Sequence, residues 1–273
     1  MTATRRIAMT LEQCWHRVPG GTAVAALGMA RGVAGREGLE VRGVAARHSG
    51  PPPAAWEPSV PVHQLPLPRL ALYESWHHLR WPPVQNATGE VDVIHATTLA
   101  IPPRSAPLVV TVHDLAFLHE PGHFTRRGMT FFRRGMKLAR RHADLVLCPS
   151  RATLEDCAAH GFPRDRLRLV PMAVPQRRAT RDEVTSVRAR HGLARPYVMW
   201  TGTIEPRKNL PRLMAAFAQV DPGVDLVLVG PKGWNEDLQP FVDRLASRVK
   251  VLGFVPHEDL PPLYAGAAAF CFP

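Results

Sequence analysis

In the run Thr201-Gly202-Thr203-Ile204-Glu205-Pro206-Arg207-Lys208-Asn209, two adjacent cations follow a glycine turn where an apolar run ends and a helical period begins. Gly202 lets the backbone turn, Asn209 is suited to cap the helix that follows, and Arg207 and Lys208 stand at the positive end of its dipole. A planar guanidinium fork beside a point-charge ammonium suits the diphosphate of a nucleotide ligand. The same residues also describe an ordinary basic helix start facing water, and charge alone does not choose between the two. A second candidate is His113, which ends the apolar run Val109-Val110-Thr111-Val112-His113-Asp114-Leu115. In a parallel sheet wound by helices the carboxyl ends of strands face the ligand crevice, so a histidine there is placed for binding, although a lone strand-end histidine is also commonly structural. Asp114 either orients that ring or caps the next loop, and its position favours capping. A third is Pro19-Gly20-Gly21-Thr22, where Gly20 and Gly21 allow the backbone to approach a phosphate or an acceptor closely.

Positioning these residues requires strands that alternate with helices. Short apolar runs at residues 6–10, 39–46, 60–67, 91–95, 108–113, 144–148 and 168–174 read as parallel strands, and 22–33, 69–81, 125–142 and 151–160 have helical period. Ser150 suits the N-cap of the last of these helices and Gly161 its close. Residues 175–196 are rich in arginine, poor in large apolar side chains and bounded by Pro175 and Pro196, which reads as a surface connection and hinge with a short helix near 183–191. A second alternation follows, with strands at 197–201, 225–230, 250–253 and 267–272 and helices at 210–220, 235–248 and 259–265. The expected organisation is an N-terminal domain over 1–174, a connection over 175–196 and a second domain over 197–273.

The chain has 273 residues and a formal net charge of +11. A basic excess attracts nucleic acid, anionic lipid or phosphorylated small molecules, and it also arises from a compositional bias toward Arg, Ala, Pro and Gly. No recognised nucleic-acid module or set of base-stacking aromatics accompanies the charge, so specific nucleic-acid binding is not expected. No run approaches the roughly 20 apolar residues of a membrane-spanning helix, and residues 1–17 carry charges where a signal peptide has an apolar stretch, so a cytoplasmic location is expected. Cys14, Cys148, Cys157 and Cys271 are far apart, without metal-type spacing, and read as reduced core thiols. The 125–142 helix sets Arg126, Arg133, Lys137, Arg140 and Arg141 largely on one side and Met129, Phe132, Met136 and Ala139 on another. Such a helix either rests on an anionic membrane or meets a lipid-phosphate acceptor, or it packs its apolar side on the sheet and leaves a solvated basic face; the last is favoured.

From Tyr197 onward the order of motifs is specific. The run 197–209, then Leu-Val-Leu-Val-Gly-Pro-Lys-Gly-Trp at 226–234, then Val-Leu-Gly-Phe-Val-Pro-His-Glu-Asp-Leu-Pro-Pro-Leu-Tyr-Ala-Gly-Ala-Ala-Ala-Phe-Cys-Phe-Pro at 251–273 resembles the nucleotide-binding half of the family 4 retaining glycosyltransferases. The N-terminal His113 strand and the Gly20-Gly21 loop agree with it. The resemblance implies an α/β fold of GT-B type, two Rossmann-like doubly wound domains with the second incomplete at residue 273. It implies transfer of a hexose, mannose by the Glu-Pro-Arg-Lys-Asn variant, from a nucleotide-diphosphate sugar to a hydroxyl of a glycan or lipid-linked acceptor with retention. Arg207 and Lys208 would hold the diphosphate, His113 would lie beside the donor sugar, and Phe254 and the Val255 backbone would face the base, with neither a metal nor an enzyme nucleophile. Closure about the hinge would exclude water. Two departures stand out: Met172-Ala173 replaces the family's Asn-Gly after the domain-crossing proline, and the family's paired donor-binding glutamates would fall beyond Pro273. On that resemblance the chain by itself is expected not to turn over. Two other readings remain open at this stage, a non-catalytic basic protein that binds polyanions and a two-domain sensor that binds a nucleotide sugar without turnover.

Overall fold

The computed structural model describes residues 4–174, 177–233 and 236–273. Trp234 at the end of the 226–234 motif and Asn235 at an expected helix start lie outside the described residues. The chain divides into two compact units, Met1–Ala173 and Val174–Pro273.

In the first unit seven strands form one sheet: β1 (Arg5–Thr10), β2 (Leu39–Ala45), β3 (Val62–Gln64), β4 (Val93–Ala96), β5 (Leu108–Thr111), β6 (Leu145–Cys148) and β7 (Leu167–Leu169). Their order is β3-β2-β1-β4-β5-β6-β7 and every pairing is parallel. Parallel strands covered on both faces read as continuous apolar runs, which is the pattern here. Ile94, Leu108, Val110 and Val146 pack with Leu72, Trp76 and Phe117 in one core, while Met9, Leu11 and Val41 pack with Ala26 and Ala30 of the Gly20–Ala34 helix in another. The strand expected over 60–67 shortens to β3 and that over 168–174 to β7. Prolines 61, 66, 68 and 171 flank the two and cannot donate to a ladder. The helix expected over 69–81 ends at His78; Arg80 takes φ 54°, and the prolines at 82 and 83 disfavour a helical residue before them. Ser150 caps the Arg151–Ala159 helix by accepting from Thr153 N, and Gly161 beyond it takes φ +83°.

The second unit repeats the plan with four strands, β8 (Tyr197–Thr201), β9 (Asp225–Val229), β10 (Val249–Gly253) and β11 (Ala269–Phe270), in the parallel order β10-β9-β8-β11. Trp200, Leu226 and Leu228 pack beneath the Leu210–Phe217 helix through Leu210, Met214 and Phe217. Tyr197, Met199, Val227 and Val229 face the opposite way, onto Val187 and Leu263. Val187 belongs to the Arg181–Arg190 helix, so the segment expected to be a surface connection contributes a helix to the second unit's core. A Thr180–Glu183 capping box starts that helix, and at its end Arg190 and His191 both reach the buried carboxylate of Asp259. Burial pushes the Asp259 carboxyl up, but its bonds to Arg190 and His191 outweigh this and hold it below the usual range. The 235–248 expectation resolves into a Gln239–Leu245 helix and an Ala246–Arg248 turn. The run 267–272, expected to be a strand, is a two-residue strand, Ala269–Phe270, that pairs with β8 among the described residues, and both residues are exposed.

Candidate functional site

Both sheets reverse strand order beside their first strand, and the carboxyl ends at such a reversal are where doubly wound sheets bind ligands. In the first unit that place lies between β1 and β4. Thr10, at the end of β1, and Thr97, just past β4, are both buried and bond to each other: Thr97 N donates to Thr10 Oγ1 at 3.0 Å, Thr97 Oγ1 donates to the Thr10 carbonyl at 2.5 Å, and the two hydroxyls lie 3.2 Å apart. Gln13 Nε2 donates to Thr97 Oγ1 at 2.7 Å. His113 stands two residues beyond the end of β5, not within it, and its Nε2 donates to the Thr97 carbonyl at 3.0 Å. Burial pulls the His113 pKa down, against the raising effects of that carbonyl and of Asp114. The neutral ring therefore keeps its proton on Nε2 and presents Nδ1 as an acceptor. From the far side Thr153 Oγ1 donates to the His113 carbonyl at 3.1 Å. Asp114 Oδ1 accepts from Ala116 N at 3.1 Å, the capping bond expected of it. Gly20 takes φ +63° at the start of its helix, a conformation costly for any other residue, and both Gly20 and Gly21 are exposed.

In the second unit the loops after β8 and β9 run against each other. Gly202 N donates to the Val229 carbonyl at 2.9 Å, Ile204 N to the Pro231 carbonyl at 3.1 Å, and Gly230 N to the Gly253 carbonyl at 2.7 Å. At Gly230, with φ +135°, a Cβ would lie 1.8 Å from the Gly202 carbonyl oxygen, so this seam exists only because there is no side chain. Arg207 follows in a single turn, Pro206–Lys208, and its Nε and Nη2 both donate to Glu205 Oε1, at 3.1 and 3.0 Å. Glu205 is buried, so the guanidinium is held edge-on by a fixed carboxylate. The sequence pattern assigned Glu205 no role, although a carboxylate two residues before an arginine fork is the signal that marks it. Lys208 Nζ sits 4.6 Å from the centre of the Phe272 ring, a cation–π contact. Asn209 occupies the N-cap position of the Leu210–Phe217 helix but with φ 50° and no side-chain capping bond, which corrects the expected cap: the left-handed backbone turns the amide away from the helix amides. Thr201 Oγ1, at the end of β8, is buried without a hydrogen-bond partner among the described residues. Phe254 is 63% exposed just past Gly253, whereas the Val255 side chain is buried among Tyr197, Val227 and Val229.

The Arg126–His142 helix packs Met129, Phe132, Met136 and Ala139 on the first unit's core and exposes Arg126, Arg133, Lys137, Arg140 and Arg141. The core thus occupies its apolar side, and the charges are presented outward. Among the described residues no helix is long and apolar enough to cross a membrane.

The sequence profile of Glycosyltransferase Family 4 matches residues 19–178, and that of Glycosyl transferases group 1 matches residues 195–273. The chain is 29% identical over 192 residues to the O-antigen chain mannosyltransferase B of Escherichia coli, covering 66% of this chain and 50% of that protein. It therefore spans about half the length of this relative. Among solved structures it is similar in fold to Anabaena HepE in complex with UDP and glucose, with TM-score 0.71 and 22% identity over 97% of this chain and 73% of the other. Sucrose-phosphate synthase from Thermosynechococcus elongatus matches with TM-score 0.64 and 19% identity over 97% and 74%.

Proposed function

The chain belongs to glycosyltransferase family 4, and from that premise we propose that it serves to move a hexose from a nucleotide-diphosphate sugar to a hydroxyl acceptor with retention at the anomeric carbon. The observation that carries the reading is the glycine seam of the second unit with Arg207 at its edge. Gly202 and Gly230 leave backbone exposed to a close ligand, and Glu205 sets the guanidinium plane that would take the diphosphate. Lys208 supplies a second cation, Asn209 shapes the turn between them and the helix, and the exposed Phe254 ring with the Val255 backbone offers a surface for the base. His113 Nδ1 is the acceptor for a hydroxyl of the donor sugar. Gly20 and Gly21 open the start of the first helix to the reacting phosphate or acceptor. Stabilising the departing diphosphate by fixed charges is the main catalytic effect open to such a site. We place GDP-mannose ahead of UDP-glucose, since the E. coli relative is a mannosyltransferase. The cations of the Arg126–His142 helix would let the protein lie against an anionic membrane by charge alone.

Calorimetric titration of GDP and UDP into wild type and the Arg207→Ala/Lys208→Ala double variant tests the donor assignment. Each charge-assisted hydrogen bond removed should cost about 1.5–3 kcal/mol of binding. Equal affinity in the double variant would remove the phosphate assignment.

A further inference from the structure

The two cations of the Pro206–Lys208 turn are held in different ways. Arg207 leans on the buried carboxylate of Glu205, whereas the Lys208 ammonium lies over the face of Phe272, 4.6 Å from the ring centre. That ring does not stand by itself. It stacks on Phe270, with centres 6.3 Å apart and 17° between planes, and Phe270 meets Tyr264 of the Leu260–Gly266 helix edge-on at 5.3 Å. The sheet builds this ladder. β11 pairs in parallel with β8, Phe270 opposite Met199, and Cys271 N donates to the Met199 carbonyl at 2.9 Å. Phe272 is thereby carried alongside the carboxyl end of β8, where the loop that bears Lys208 begins. Side chains alternate along an extended chain, so Phe270 and Phe272 share one side while Cys271 between them packs on the Trp200 core.

Tyr264, Phe270 and Phe272 are 43%, 47% and 55% exposed. Three aromatic rings in contact with one another at the surface are not accounted for by core packing, and a contiguous apolar line of this kind marks a binding function. The physics of the two holds says which. A carboxylate orients a cation but offsets its charge. An aromatic face attracts a cation through its quadrupole and leaves the whole positive charge in place. An ammonium on a flexible four-carbon stem otherwise spends rotamer freedom when it meets a ligand, and the ring removes part of that cost beforehand. Of its three N–H donors, those on the side away from the ring remain able to donate to an anion.

We propose that Phe272 is a positioning residue for the donor's diphosphate and that it acts through Lys208: its ring, backed by Phe270 and Tyr264, holds the ammonium in place and fully charged for a phosphate oxygen. The assignment rests on the donor reading above and adds to it a division of work between the two cations. Arg207, fixed in plane by a carboxylate, supplies direction. Lys208, held on a ring, supplies undiminished charge.

The test is a double-mutant cycle on GDP affinity, measured by calorimetry. Phe272→Leu keeps apolar bulk against Phe270 and removes the ring; because the position is half exposed, the melting temperature should change little. GDP affinity should fall about fivefold. Phe272→Tyr keeps a ring face and should bind GDP within about twofold of wild type. In a Lys208→Ala background Phe272→Leu should have no further effect, since the ring acts only through the ammonium. NMR reads the hold directly. Lysine occurs at positions 137, 208, 232 and 250, so the ε-methylene signal of Lys208 is identified by its loss in Lys208→Ala. The ring current of Phe272 should place that signal upfield of the other three, and Phe272→Leu should return it among them. Unchanged or tighter GDP binding in Phe272→Leu, an equal loss in the Lys208→Ala background, or a Lys208 signal that Phe272→Leu does not move would each overturn the proposal alone. Should Lys208→Ala itself bind GDP as wild type does, the donor reading of Lys208 falls, and the proposal with it.

Discussion

The two units place their strands in the same local order, third, second, first, fourth, yet they build opposite surfaces at the reversal. Between β1 and β4 the polar groups are side chains bonded to one another: Thr10, Gln13, Thr97 and His113 form a closed network that turns a ring nitrogen outward. Around β8 the surface is backbone, opened by glycines, with a guanidinium leaning on a buried carboxylate. A satisfied network of neutral groups fixes the direction of a hydrogen bond and suits a sugar hydroxyl. A backbone seam with a held cation suits a multiply charged anion. The same topology therefore supplies two chemistries, and what separates them is whether the loops carry side chains or dispense with them.

The contrast is broken most severely at Gly230. In Gly230→Ala the new Cβ would meet backbone, not a flexible side chain, at a φ hostile to L residues, and we expect a loss of about 4 kcal/mol or more, with the second unit unfolding first in urea. Gly20→Ala in the first unit has open space around its Cβ and should cost only about 1–2 kcal/mol for its φ. Comparable midpoints for the two variants would show that the seam is not the constraint described.

Acid should then separate the units. His77 and His95 are buried, and burial holds both pKa values down to about 4, with nearby positive charge or a second imidazole adding to the effect. An unfolded imidazole titrates near its ordinary value, so below about pH 6.5 the unfolded state binds protons that the folded first unit refuses. Stability is whole above that value and falls as pH drops from 6.5 toward 4, by about 3 kcal/mol for each ring at the end of the range. In the second unit Asp259 is held low, so its contribution is present above the ordinary carboxylate range and is lost only as pH falls below it. Hydrogen exchange at pH 7, 5 and 4 should show the amides of β4 and β5 losing protection before those of β8 and β9. Simultaneous loss between pH 6.5 and 4 would contradict the assignment, and His95→Gln should flatten the dependence.

A smaller effect is expected at His113. It makes one bond from Nε2 and one at its own carbonyl, so His113→Ala should move the melting temperature little. If Nδ1 holds the donor sugar, transfer by a full-length enzyme that carries the change should fall about a hundredfold, the worth of one well-placed bond to a charged or polar reacting group. A large fall in stability with activity per folded molecule intact would return His113 to a structural role.

These outcomes bear on how much of the site is legible in the sequence. His113 is legible because an apolar run leads up to it, and Arg207 and Lys208 because two cations follow a glycine turn. Thr10 and Thr97 are not, being 87 residues apart and joined only by the pairing of β1 with β4. Strands are legible where apolar runs are uninterrupted, as in β8 and β9, and overestimated where prolines remove donors, as in β3. The cap assigned to Asn209 fails because sequence reports which side chains can cap but not the backbone angle that aims them.

The finest distinction concerns Glu205, which the seam leaves buried against Arg207. Glu205→Gln preserves shape and an oxygen that still accepts from the guanidinium, so the fold of the loop should persist. What disappears is the charge-assisted part of the bond, worth about 1 kcal/mol more than its neutral counterpart. Two consequences oppose each other. Removing a negative charge near the diphosphate favours binding, but over this partly exposed distance screening makes that gain small. Loosening the guanidinium costs binding, because the fork must then be ordered by the ligand itself. We expect the second to win and the affinity for GDP to fall about fivefold, well short of the loss in Arg207→Ala. Calorimetry of GDP binding to the two variants at low and high salt decides it. Tighter binding in Glu205→Gln that fades at high salt would mean that Glu205 acts on the ligand through its charge and not through the orientation of Arg207.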